Sequence, residues 1–139
     1  MKGFVLDASI TLAWFIDRPI APHAAQVRKL LLGGNRAVVP ALWQFEIANG
    51  FLVAERHGLL TTSDTADALQ DIDLLLAHAI ESSRDTVPMR SILQTAREFK
   101  LTAYDAAYLE TARRQHLPLA SLDRQLLAAA SKGGVEVLS

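Results

Sequence analysis

The chain has 139 residues, 50% of them hydrophobic and 21% charged, with no cysteine. That suits one ordered domain over residues 1–139 rather than a disordered chain, and it excludes disulfides and thiolate metal sites. Lys and Arg total 14 against 15 for Asp and Glu, a formal charge of -1, so a nucleic-acid partner would need local arginines and metal ions rather than bulk electrostatics.

In chain order, the apolar run Phe4, Val5, Leu6 predicts a strand over 2–6, buried on both faces as in a parallel sheet. It stops at Asp7, and 8–16 reads as a helix ended by Asp17, Arg18 and Pro19. Ala24, Val27, Leu30 and Leu31 have helical spacing and predict a helix over 20–32, closed by Gly33 and Gly34. A strand follows over 36–39, and Pro40 suits the first turn of a helix reaching His57, with Gly58 as its stop. Thr61 to Asp64 read as the cap of a helix whose buried stripe is Leu69, Ile72, Leu75 and Leu76.

Residues 80–82 fit a short strand, and Pro88 opens a helix to Lys100. Thr102 and Asp105 fit a capping box for a helix over 103–116. A strand over 117–121, a helix over 124–132 and a last strand over 135–138 complete the pattern. Strands alternating with helices imply an α/β chain, a parallel sheet with helices on both faces. Asp7 interrupts the apolar start too early for a secretion signal, and no stretch approaches a membrane span. The expected location is the cytoplasm, which the lack of cysteine also fits.

Four acids need an explanation: Asp7, Glu46, Asp105 and Asp123. Asp7 ends a core strand, where open α/β sheets place their ligands. Asp7, Asp105 and Asp123 each also have a plain reading as helix caps. Glu46 has none: its neighbours three and four residues away are Leu42, Trp43, Asn49 and Gly50, with no base within a turn. Such a carboxylate needs a distant salt-bridge partner or faces a cleft. If the four converge, they cannot all stay ionised without a cation between them. Oxygen ligands without His or Cys select Mg²⁺ or Mn²⁺, and such a site serves phosphodiester hydrolysis. His23, His57, His78 and His116 are scattered and expected at the surface. The serines lack a G-x-S-x-G elbow, and Gly33-Gly34 precedes a strand instead of following one, unlike a phosphate loop.

The stretches Val5-Leu6-Asp7-Ala8-Ser9, Glu46-Ile47-Ala48-Asn49, Leu101-Thr102-Ala103-Tyr104-Asp105-Ala106-Ala107-Tyr108 and Leu119-Ala120-Ser121-Leu122-Asp123-Arg124-Gln125-Leu126 resemble the PIN-domain ribonucleases. Within these, the chain is most similar to the VapC-type toxins of bacterial toxin–antitoxin pairs, along its whole length and with the stretches in order. The resemblance implies a three-layer α/β/α sandwich with a central parallel sheet, strands one and four adjacent. It implies a metal-dependent endoribonuclease in which Asp7, Glu46, Asp105 and Asp123 surround one or two Mg²⁺ or Mn²⁺ ions. Ser9 is implied as a hydrogen-bond partner near the first acid and Asn49 as an orienter behind the ligands, while Ser121 keeps a hydroxyl where relatives often carry Thr.

The implied partners are RNA, a VapB-like antitoxin whose C-terminal segment lies over the site, and a second copy in a homodimer. Trp14, Phe15 and Trp43 are the aromatics offered for those protein contacts. Arg124, beside Asp123, is the first candidate to grip RNA, followed by Arg18 and Arg84. Other readings compete. Asp7-Ala8-Ser9-Ile10-Thr11 resembles the D-x-D-x-T of haloacid-dehalogenase-type phosphatases, but Ser9 replaces the second acid. A receiver domain needs a Lys after a late strand, whereas Lys100 and Lys132 both sit at helix ends. A PIN-fold module that binds RNA or protein without cutting is the alternative from another class.

Overall fold

Phe4–Leu6 forms β1, and none of its three apolar residues has any exposed surface, as a strand covered on both faces requires. The computed structural model describes residues 3–138, so Lys2, expected at the start of this strand, lies outside the described residues. The remaining elements are α1 (Ala8–Ile16), α2 (Pro22–Leu32), β2 (Ala37–Val39), α3 (Leu42–Arg56), α4 (Thr62–His78), β3 (Ile80–Ser82), α5 (Met89–Phe99), α6 (Ala103–Gln115), β4 (Leu119–Ala120) and α7 (Arg124–Lys132). No helix among the described residues is long and apolar enough to cross a membrane.

The four strands form one all-parallel sheet in the order β3-β2-β1-β4. Val5 pairs with Val38 on one side and Leu119 on the other, so β1 is central and β4 is its neighbour. Parallel crossovers are right-handed almost without exception. Chain travel from β1 to β2 to β3 therefore puts α1–α4 on one face, and the return to β4 puts α5–α7 on the other. The helix pairs that pack together, α1 with α2 and α3, and α5 with α6 and α7 with α6, agree with this three-layer α/β/α arrangement. The connections leave β1 and β4 toward opposite faces, which opens a crevice at the carboxyl ends of these two strands.

Helix ends follow local chemistry. Pro22 opens α2, Thr61 and Asp64 form a full capping box at α4, and Thr102 caps α6. Pro88 is the extended N-cap of α5 instead of its first residue, and Lys100 and His116 end α5 and α6 in the left-handed conformation. Gly3, at φ +136, lies so close to β2 that a Cβ would come within 2.8 Å of the Arg36 carbonyl oxygen.

Several expectations are corrected. Along α4 the buried residues are Ala68, Ile72 and Leu75, while Leu69 is 45% exposed. Ala68, Ile72, Leu75 and the following Ala79 form the helical line that meets the core, and Leu69 is turned about 100° from it. The strand expected over 117–121 shrinks to Leu119–Ala120, since Pro118 has no N–H to donate and Ser121 turns toward Asp7. With so short a neighbour, the strand expected over 135–138 reduces to one parallel bridge, Leu119 to Val137. Trp14 and Trp43 are core residues at 1% exposure and offer no surface to a partner, whereas Phe15 is half-buried against Phe51. His57, His78 and His116 are exposed, but His23 is half-buried.

The phase of α4 can be tested directly. Ile72→Ala should lose about 2–5 kcal/mol of stability, and Leu69→Ala less than about 1 kcal/mol, in urea denaturation. Equal losses would place Leu69 in the core.

Candidate active site

Asp7 follows β1, and its backbone N–H donates to Ala120 O at 3.0 Å, the last ladder bond to β4. It occupies the N-cap position of α1, yet its side chain makes no capping bond. Instead the buried carboxylate is held by two hydroxyls: Ser9 Oγ and Ser121 Oγ donate to Asp7 Oδ2 at 2.7 and 2.6 Å. Each hydroxyl in turn accepts a backbone N–H of the β4–α7 turn, Ser9 from Leu122 at 3.0 Å and Ser121 from Asp123 at 2.9 Å. Burial pushes the Asp7 carboxyl above its usual range, the two hydroxyls pull it back, and the Asp123 charge raises it further.

Glu46 has no salt-bridge partner among the described residues, which removes the bland reading of a distant arginine. Its Oε1 accepts the Tyr108 hydroxyl at 2.5 Å. Burial raises its pKa, the Tyr108 bond opposes this, and the charge on Asp7 adds to it. Tyr108 is wholly buried on α6, and its oxygen also accepts the Ala8 N–H at 3.4 Å. Burial first, then the bond to Glu46, raises the phenol pKa so that it stays a neutral donor. Its role was missed from sequence, although a buried Tyr hydroxyl always asks for a polar partner.

Asp105 and Asp123 divide the capping readings between them. At α6 only the Thr102 half of the capping box forms, with Thr102 Oγ1 accepting the Asp105 N–H at 3.1 Å. The Asp105 carboxylate makes no hydrogen bond among the described residues. Burial pushes it up to about 6, with Asp123, Asp7 and Glu46 all adding in that direction. Asp123 does cap α7, its Oδ1 accepting the N–H groups of Gln125 and Leu126 at 2.9 and 3.1 Å.

All four acids line one open cleft of about 310 Å³ at the β1/β4 crevice, with Ser9, Leu12, Asn49 and Gly50. Gly50 lets α3 approach α1, since a Cβ there would come within 2.6 Å of the Leu12 methyls. Asn49 is exposed on the cleft wall and bonds none of the four acids, so the orienting bond to Glu46 comes from Tyr108 instead. None of the three candidate arginines lines the cleft. Arg18 donates to the Asp17 carbonyl and faces Asp64, Asp67 and Asp71 in a separate cavity. Arg84 follows β3, two strands away from β1, and Arg124 is exposed at the first position of α7.

No basic side chain is within salt-bridge distance of these carboxylates among the described residues. The donor set is therefore hard oxygen with uncompensated charge, the chemistry that suits Mg²⁺ or Mn²⁺. As the side chains stand, no group of three or more acids or histidines among the described residues is arranged to hold one ion. The clamped Asp7 is the fixed point, and Asp105, whose carboxylate is unbonded, is the acid freest to turn toward it.

The PIN domain family profile matches residues 4–132. The chain belongs to the PIN domain family, whose members are usually nucleases that typically use divalent metal ions. The crystal structure of PAE2754 from Pyrobaculum aerophilum is similar to it, with a TM-score of 0.71 and 24% identity over 91% of this chain and 84% of that one. At that identity the likeness concerns the fold alone. No curated protein matches the sequence.

The cluster should cost stability. Asp105 ionises near 3.8 when unfolded and near 6 in the fold, so the folded form binds the proton more tightly. The penalty is full above about pH 6 and disappears as pH falls toward 3.8. Asp105→Asn should therefore stabilise the metal-free protein at pH 7 by about 1–2 kcal/mol, allowing for solvent screening, and flatten its stability between these limits. Denaturation in chelator across this range would check it. An Asn variant less stable than wild type would mean the carboxylate is favourably paired.

Proposed function

We propose that this chain is a metal-dependent endoribonuclease, the toxin of a VapBC-type toxin–antitoxin pair. The observation that carries the nuclease reading is the convergence of Asp7, Glu46, Asp105 and Asp123 on one cleft without a basic partner. The toxin reading rests on the resemblance of the stretches around these acids to VapC-type proteins. One or two Mg²⁺ or Mn²⁺ ions would supply an activated water and offset charge on the attacked phosphate.

The protein's own part is to position oxygens. Asp7 is fixed in direction by Ser9 and Ser121, and its Oδ1 is left free of those bonds. Glu46 is steered by Tyr108 and keeps Oε2 for the cleft. Asp123 spends Oδ1 on the helix cap and keeps Oδ2. Each acid thus keeps at least one oxygen free of hydrogen bonds to the protein. Ser9 offers only an alcohol, too weak an acid to protonate the leaving group as a haloacid-dehalogenase-type phosphatase needs, and its hydroxyl is engaged with Asp7. The partners proposed are RNA, a VapB-like antitoxin covering the cleft and a second copy of the chain.

One observation favours a rival, a PIN-fold module that binds RNA without cutting it: the acids are not drawn up around a single ion position. A single assay separates the two. Purified protein should cleave single-stranded RNA with Mg²⁺ or Mn²⁺ and not in chelator. Asp7→Asn should lower the rate by at least about 100-fold while its circular dichroism is unchanged, since Asn keeps the shape but loses the charge. RNA bound but left intact under every metal condition would establish the rival. Growth arrest on expression, relieved by the product of a small adjoining reading frame, tests the toxin role.

A further inference from the structure

Beside the acid cleft lies a second cavity of about 560 Å³, lined by Leu42, Phe45, Glu46, Asn49 and Tyr104. Glu46 and Asn49 line both, so the two cavities adjoin. Phe45 is 79% exposed and Tyr104 is 63% exposed. Single exposed apolar residues are ordinary on any surface. These two differ in placement: each is the residue immediately before a cleft acid, Phe45 before Glu46 on α3 and Tyr104 before Asp105 on α6. Two helices from opposite faces of the sheet thus each hold an aromatic ring at the mouth of the same crevice.

The charge distribution says what kind of contact is missing. The cleft is lined by four acids and no arginine, and the chain carries no basic excess. Attraction of phosphates by fixed positive charge is therefore weak here, and affinity for RNA must come largely from elsewhere. Bases stack on aromatic rings without regard to charge, and only unpaired bases present a free face to stack.

We propose that Phe45 and Tyr104 are stacking platforms for unpaired RNA bases next to the phosphate seated in the acid cleft. This rests on the ribonuclease reading for what the cleft does. The rings touch bases and position the strand; they take no part in the bond broken. A protein partner, whether a second copy of the chain or the antitoxin proposed above, is the competing occupant of this surface, and it would have to cover the acid cleft as well.

The test uses a short single-stranded RNA of mixed sequence, and the same strand annealed into duplex. Dissociation constants are read by fluorescence anisotropy on Asp7→Asn protein with Mg²⁺, and kcat and KM on otherwise wild-type protein. The single strand should bind more tightly than the duplex. Phe45→Ala and Tyr104→Ala should each weaken single-strand binding roughly 5- to 100-fold. Phe45→Trp and Tyr104→Phe should retain binding, and Phe45→Leu should not. The slope of log K against log salt should not move, because no phosphate contact is lost. Unchanged binding in both Ala variants, Leu serving as well as Phe, or affinity lost only in step with a fall from dimer to monomer by light scattering would each overturn the proposal. A wild type that cuts no RNA yet binds single strands through these rings would remove the nuclease reading and leave the stacking in place. A wild type that cuts RNA while the Ala variants bind normally would do the reverse.

Discussion

The bond pair from Ser9 and Ser121 to Asp7 Oδ2 is the interaction on which the rest of the site depends. It joins the end of β1 and the start of α1 to the turn after β4, residues more than a hundred positions apart in sequence. Because each hydroxyl also accepts a backbone N–H of that turn, the same two side chains set the direction of Asp7 and the path that delivers Asp123. A buried carboxylate without such donors would be too costly to keep at a strand end. With them it is rigid, and the other acids are placed relative to it.

The second constraint is charge. Asp7, Glu46 and Asp105 are all shifted upward in pKa, with burial the largest cause in each case and neighbouring carboxylates adding to it. No base within salt-bridge distance offsets them among the described residues. The contrast with another buried carboxylate is instructive. Glu110 is paired with Arg113 and Arg114 and accepts the Thr95 hydroxyl, so a carboxylate placed for stability in this chain is surrounded by donors. The cleft acids are left with free oxygens and excess charge, an arrangement that stability alone would not select and that function commonly tolerates.

Much of this was legible in the chain itself. Buried parallel strands show as continuous apolar runs, and Phe4, Val5 and Leu6 are such a run. Caps and glycines mark helix ends through local backbone chemistry, which is why α7, capped by Asp123 and ended at Gly133, has the expected limits and the cap of α4 falls at Thr61. That Glu46 needed a special reason to sit among apolar neighbours also followed from sequence, since nothing within a helical turn could pair with it. The family likeness carried the adjacency of strands one and four.

Only the tertiary structure decided which side chains do what. Three acids had capping readings of equal local merit, and the fold used one of them: Asp123 caps, Asp105 leaves its cap to Thr102, and Asp7 turns away from its helix toward two serines. Trp14 and Trp43 carry as much apolar surface as any partner-binding aromatic, and their depth in the core depends on which helices close over them. Tyr108 and Glu46 meet across 62 positions, and Asp7 and Ser121 across 114. Local sequence sets dihedral preferences and periodicity over a few residues. Pairings at that separation exist only once the sheet order brings β4 beside β1, so no local pattern could announce them.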